Sequence, residues 1–182
     1  MIQAVGPMKK MYLPGLSNIE GIKKLENIVE EFGTVSLPTM AKNLKKSYIH
    51  GDLNDQNLVV DENGVVIGVV DFDDMAWSYP VVDLATAMMY VAVGVDMDDM
   101  LDKLNLFYKS YYTIRQLTDV EKSLLYNLIL MRFVQSTAVA LYQYTYLDPG
   151  NDYLVIYTSE NWKRIDSLLS MSRETFIEKV CK

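Results

Sequence analysis

Two β-branched runs, Leu58-Val59-Val60 and Val65-Val66-Ile67-Gly68-Val69-Val70, flank Asp61-Glu62-Asn63-Gly64, a pattern that leaves little room for anything but a hairpin. Asn-Gly is a strong short hairpin signal, because a type I′ turn needs positive φ at both central residues. A turn centred on Asn63 and Gly64 sets Leu58 opposite Val69 and Asn57 opposite Val70. Asn57 and Asp71 should therefore emerge side by side at the base of the hairpin.

That placement matters because of what surrounds the hairpin. Before it stands His50-Gly51-Asp52-Leu53-Asn54-Asp55-Gln56-Asn57, and after it Asp71-Phe72-Asp73. Two adjacent side-chain oxygens can share one hard cation such as Mg²⁺, which takes the rest of its shell from nucleotide phosphates and water. Asp52, on the loop entering the hairpin, supplies a carboxylate able to orient an attacking hydroxyl, as phosphoryl transfer requires. The spacing Asp-x4-Asn followed by Asp-Phe-x is that of the catalytic loop and metal-binding strand of kinase folds. Each part alone has a plainer reading. An acidic tripeptide is often a solvated strand end, and His-Gly-Asp arises by chance. The fixed joint spacing carries the site reading. His50, the single histidine, sits beside the better base and reads as a brace for the loop.

The 182 residues suffice for one substantial core, and half of them are apolar. Cys181, the only cysteine, argues against a disulfide framework, and no signal peptide is evident at the N-terminus, so the chain reads as intracellular. The most apolar stretches, 81–95 and 124–141, contain Asp83 and Arg132 and read as too short to span a bilayer. The net charge of −7 disfavours nucleic acid and anionic membranes as partners and suits a cationic small substrate.

Helices should surround the hairpin. Ser17-x-x-Glu20 is a capping box, and Ile22, Leu25, Val29 and Phe32 form an apolar stripe that Gly33 should end. Pro38 and Lys42, Lys45 and Lys46 fill the approach to the loop. A buried helix is expected over 81–95, an amphipathic one over 98–112, and a long one from the Thr118-x-x-Glu121 capping box to about residue 144. Pro149-Gly150 breaks the chain before two final helices, roughly 152–169 and 173–181. The fold class expected is α+β, mostly helical, in a single unit of 1–182. The catalytic loop and metal-site hairpin occupy 47–74, and 80–182 are helical.

The segments His50 to Asn57 and Asp71 to Asp73 resemble the catalytic core of the aminoglycoside phosphotransferase and choline kinase superfamily. In one branch, the hydroxylysine kinases, the likeness runs further. It takes in Asp74-Met75, Arg132-Phe133-x-Gln135-Ser136, Asn151-Asp152-Tyr153-Leu154 and Trp162-Lys163. The resemblance implies a protein-kinase-like C-terminal lobe in which Asp52 is the catalytic base. Asn57 and Asp71 would hold Mg²⁺ against the nucleotide, and Asp83 would brace the loop backbone. For Asp83 an ordinary helix-start acid favoured by the dipole is an equal alternative. The resemblance also implies GTP or ATP as phosphoryl donor, the hydroxyl of hydroxylysine or a similar amino compound as acceptor, and a cytoplasmic location.

Two departures stand beside it. Position 73 is Asp where protein kinases have Gly. No glycine-rich phosphate loop or strand-borne Val-Ala-x-Lys precedes His50, so the N-terminal nucleotide lobe is absent from this chain. Arg132 interrupts an apolar helix and needs a carboxylate: that of a substrate, or an acid of the same domain such as Asp74 or Asp83. Tyr142, Tyr144 and Tyr146 read as the edge of the core, with an ammonium cradle completed by Trp162 as the alternative. Three readings remain: a phosphotransferase, a kinase-like module that has lost turnover with its phosphate-gripping lobe, and a helical interaction domain.

Overall fold

The computed structural model describes residues 2–182. An N-terminal helical run contains α1 (Val5–Pro7) and α2 (Leu13–Gly15), joined by a π-helical turn, Met8–Tyr12. After it come α3 (Ile22–Glu31) and α4 (Leu37–Asn43), joined by a second π-helical turn, Phe32–Ser36. Strand β1 (Ser47–Ile49) leads into the loop, followed by β2 (Leu58–Val60), β3 (Val66–Val69) and β4 (Ala76–Ser78). Helices α5 (Pro80–Val93), α6 (Met100–Ile114), α7 (Asp119–Tyr142), α8 (Thr158–Leu169) and α9 (Arg173–Val180) complete the chain. The fold is thus α+β and mostly helical.

The core is built around α7. Leu125, Leu128, Ile129, Met131, Phe133 and Val134 are wholly buried along it, packed by α5 and α8. At its start both halves of the capping box are made: the Thr118 hydroxyl accepts from the Glu121 amide, and the Glu121 carboxylate from the Thr118 amide. Helix and π-turn together run over 119–147, long and apolar enough to cross a bilayer, contrary to the length expected from sequence. Of its most apolar window, 72% is buried inside the fold, so α7 is the core helix of this domain.

The strands form two nested antiparallel pairs. The outer pair, β1 with β4, matches Tyr48 to Trp77 and Ile49 to Ala76, and so pinches together the two ends of segment 50–75. The inner pair is the β2–β3 hairpin, with Leu58 opposite Val69 and a bond from the Val70 amide to the Asn57 carbonyl at 3.0 Å. Its turn differs from the type I′ expectation. Only Gly64 has positive φ, +78°, and the Gly64 amide bonds back to the Asp61 carbonyl. Asp61 Oδ1 accepts from the amides of Asn63 and Val65, an Asx arrangement that holds Asn63 out of the left-handed region. The result is a three-residue loop, and a bulge between Val59 and Val60 absorbs the slip it causes.

Two other local expectations are overturned by tertiary contacts. No side chain caps α3. It begins after Gly21, at φ +83°, where a Cβ would come within 3.2 Å of the Trp162 ring. Gly33 does not end the helix; it lies mid-run, facing Val5 and Lys9 at close range. Helix continues through Pro38, which sits in the first turn of α4, where its missing N–H matters least.

Candidate active site

The loop between β1 and β2 is held by the start of α5. Asp83, one turn into that helix, accepts the backbone amides of His50 (2.8 Å) and Gly51 (2.8 Å), one on each carboxylate oxygen. The positive end of the α5 dipole favours an acid there as well. The His50 ring reaches the other way. Its Nε2 lies 2.9 Å from the Val70 carbonyl, so that nitrogen carries the proton and Nδ1 accepts from the Asp52 amide at 3.4 Å. The ring also packs on Phe72, centroids 4.9 Å apart. His50 thereby ties the loop to both sides of the hairpin base. Gly51, at φ +92°, lets the loop turn against the Asp74 backbone.

Asp52 is the side chain through which the loop meets α5 and α7. Its Oδ1 accepts from the Tyr90 hydroxyl at 3.0 Å and from Arg132, in a short charge-assisted contact; its Oδ2 accepts from Asn54 Nδ2 at 3.1 Å. A carboxylate offers about four lone-pair positions. Three donors of the chain fill three, leaving one on Oδ2, and the side chain stays 26% exposed. Burial pushes the Tyr90 phenol above its usual range, against the pull of Arg132, so it remains a donor.

Asn57 is buried, and its Nδ2 donates to the Asp52 carbonyl at 2.8 Å, which fixes the amide and frees its Oδ1. Asp71 follows directly on the Val70–Asn57 bond. It is the one non-glycine with positive φ, +63°, among the described residues. Asp tolerates that region better than most, yet it is sparsely populated and recurs at functional sites. Among the described residues no three acidic, histidine or cysteine side chains converge. The donor set at the hairpin base is one amide oxygen and one carboxylate, hard ligands in the number that fits Mg²⁺ held mostly by phosphates and water.

Arg132 finds an acid of its own domain, one of the two partners expected, but that acid is Asp52 and not Asp74 or Asp83; the guanidinium also donates to the Tyr90 hydroxyl at 3.1 Å. The physical reason is the packing of α5 on α7, which aims both residues at the loop between them. Tyr90 was not singled out from sequence. The signal was present: it falls seven residues after Asp83, two turns along the same face of α5. Tyr142 packs edge-on against Tyr12 and tilted against Tyr146, while Trp162 lies against Lys24.

Beside Asp52 a cleft of about 360 Å³ opens between the N-terminal helices and α7, lined among others by Tyr12, Lys46, Gly51, Asp74, Arg132 and Gln135. Two buried polar atoms of its wall, Arg132 Nε and Gln135 Oε1, have no partner in the protein.

A loop braced by a helix-start aspartate, with a carboxylate and an amide at the mouth of a hairpin, is the arrangement of a kinase-like phosphotransferase. Residues 22–112 match the phosphotransferase enzyme family, and the chain belongs to it. Among curated relatives it is 29% identical to hydroxylysine kinase of Xenopus laevis, 27% to that of Mus musculus and 26% to that of Bos taurus. Each similarity extends over 94% of this chain and 47% of the relative. The chain thus spans about half the length of the curated relatives it matches.

Proposed function

We propose that the chain is the catalytic and acceptor-binding lobe of a small-molecule kinase. It transfers the γ-phosphoryl group of a nucleoside triphosphate, GTP by its resemblance to the hydroxylysine kinases, to the hydroxyl of 5-hydroxylysine or a similar amino compound in the cytoplasm. The observation that carries this reading is the single lone pair left on Asp52 Oδ2, beside a fixed Asn57 and a left-handed Asp71. The acceptor hydroxyl donates to Oδ2, its oxygen attacks the γ-phosphorus, and the bond to the β-phosphate oxygen breaks as the nucleoside diphosphate leaves. Asp52 takes the hydroxyl proton. Arg132 and Tyr90 keep the carboxylate turned toward the acceptor. Asn57 and Asp71 would hold Mg²⁺, which when bound neutralises charge on the phosphates.

Calorimetric titration with GTP and with ATP, each with Mg²⁺, tests the reading. Metal-dependent binding that Asp71→Ala abolishes supports it. Hydroxylysine-dependent release of nucleoside diphosphate should then fall by about 10²–10⁴-fold in Asp52→Asn. Binding that persists unchanged in Asp71→Ala overturns the assignment of the metal site.

A second reading has its own observation. The nested strands leave apolar side chains in solvent, with Tyr48 and Trp77 stacked edge-on 5.0 Å apart yet 73% and 58% exposed, and Val60, Ile67 and Phe72 also exposed. Together with the half-length match, this favours a chain that works with a complementary nucleotide-gripping lobe. A folded chain that binds neither nucleotide supports that reading.

A further inference from the structure

The cleft beside Asp52 has a definite chemistry. Arg132 is nine-tenths buried and spends one nitrogen on Asp52, while its Nε–H points to no acceptor in the protein. A buried unsatisfied donor costs roughly 1–3 kcal/mol, and more when it belongs to a charged group. Gln135, one turn further along α7, leaves its Oε1 buried and unsatisfied in the same wall. The orphans are of opposite kind, one a donor and one an acceptor. Each has a charged group of matching sign in the lining, Lys46 with the donor and Asp74 with the acceptor. Among the described residues Lys46 forms no ion pair; its ammonium rests 5.5 Å from the Tyr79 ring centre. Asp52 and Asp74 together balance Arg132 and Lys46, so the neighbourhood is neutral without a ligand. A ligand that keeps it neutral is either uncharged or carries both signs, and the opposite orphans with Lys46 and Asp74 in the same lining favour the second.

Resting on the kinase reading above, we propose that Arg132, Lys46, Gln135 and Asp74 are the specificity-determining residues of this cleft, holding both charged ends of a zwitterionic acceptor. Its carboxylate is received by Arg132 Nε–H and Lys46, and its α-ammonium by Gln135 Oε1 and Asp74. Because one guanidinium touches both the carboxylate and Asp52, it sets the distance between the anchored end and the reacting hydroxyl. Two hydrogen bonds and the width of the guanidinium separate them by roughly 7 Å. A hydroxyl several carbons from the carboxylate spans that gap; the β-hydroxyl of serine falls short. Asp52 is therefore presented only to acceptors of the right length, and an amino alcohol without a carboxylate lacks the anchor.

The test is calorimetric binding of acceptors to the chain, with Mg²⁺ and nucleotide binding measured in parallel. Lysine, which has both anchored groups but no hydroxyl, should bind about as tightly as 5-hydroxylysine. Decarboxylated 5-hydroxylysine, a diamino alcohol, should bind at least about tenfold more weakly than 5-hydroxylysine, the loss of a charge-assisted bond. Lys46→Met and Gln135→Met should each weaken lysine binding by a similar factor and leave nucleotide binding unchanged. Equal affinity for the decarboxylated compound, or wild-type lysine affinity in both variants, overturns the proposal. So does the absence of any lysine binding. The kinase reading stands or falls separately, on the nucleotide titration.

Discussion

A methyl group at position 51 would sit 2.3 Å from the Asp74 carbonyl oxygen, and φ there is +92°. Both the space and the backbone conformation demand glycine, for the loop must pass the hairpin exit before turning Asp52 toward α7. Gly51→Ala is therefore expected to lower stability by about 2–3 kcal/mol, seen as a lower urea midpoint with unchanged slope. Because Asp83 grips the amide of this same residue, the strain should be released by moving the loop, so the phosphoryl transfer proposed above should be lost even where the variant remains folded. Asp71 shows the complementary case, a side chain kept in a left-handed conformation although glycine would be easier there.

At the scale of elements, the hairpin separates what local sequence decides from what it leaves open. The β-branched runs and the register at the base were legible, because alternation and strand length admit few pairings. The turn was not: Asp61 captures two amides with its side chain and displaces the Asn-Gly turn by one residue. Gly64 has positive φ with open space around it, so Gly64→Ala should cost about 1 kcal/mol from backbone strain alone. Asn63→Ala should be nearly neutral; a type I′ turn would penalise both, and equilibrium denaturation of the two variants separates the cases. The two capping boxes teach the same lesson. Thr118 and Glu121 cap α7, whereas Ser17 and Glu20 leave α3 uncapped, and the chain enters that helix through Gly21, left-handed and close against the Trp162 ring. Strands β1 and β4 escaped notice, being three residues each, with Ala76-Trp77-Ser78 carrying no alternation to read. Arg132 was visible as a charge in an apolar helix; its partner on a distant loop was not, since only the packing of α5 on α7 brings them together.

For the molecule as a whole, alkaline pH is the exposed flank. Burial pushes the Cys181 thiol up to about 11 and the Tyr108 phenol up to about 12, both where the C-terminus meets α6. A group whose folded-state pKa is raised gives stability that is complete below its unfolded value and lost as pH climbs to the folded one. For Cys181 that window runs from about 9 to about 11. Thermal melts across it should show a fall equivalent to about 1–2 kcal/mol after allowance for the thiol's partial exposure, and Cys181→Ala should flatten the curve. Between these ends the fold hangs on α7, an unbroken helix from its cap at Thr118 to the guanidinium above the loop. Each residue added to or removed from such a helix turns everything beyond it by about 100°. Arg132 and Gln135 therefore inherit their aim from the number of residues that precede them. A residue inserted at the tip of the hairpin, around 62–64, moves neither side chain, whereas one inserted between 119 and 131 turns both away from the loop. Helix α7 is in that sense a gauge, whose count of residues is as much a part of the site as any side chain it carries.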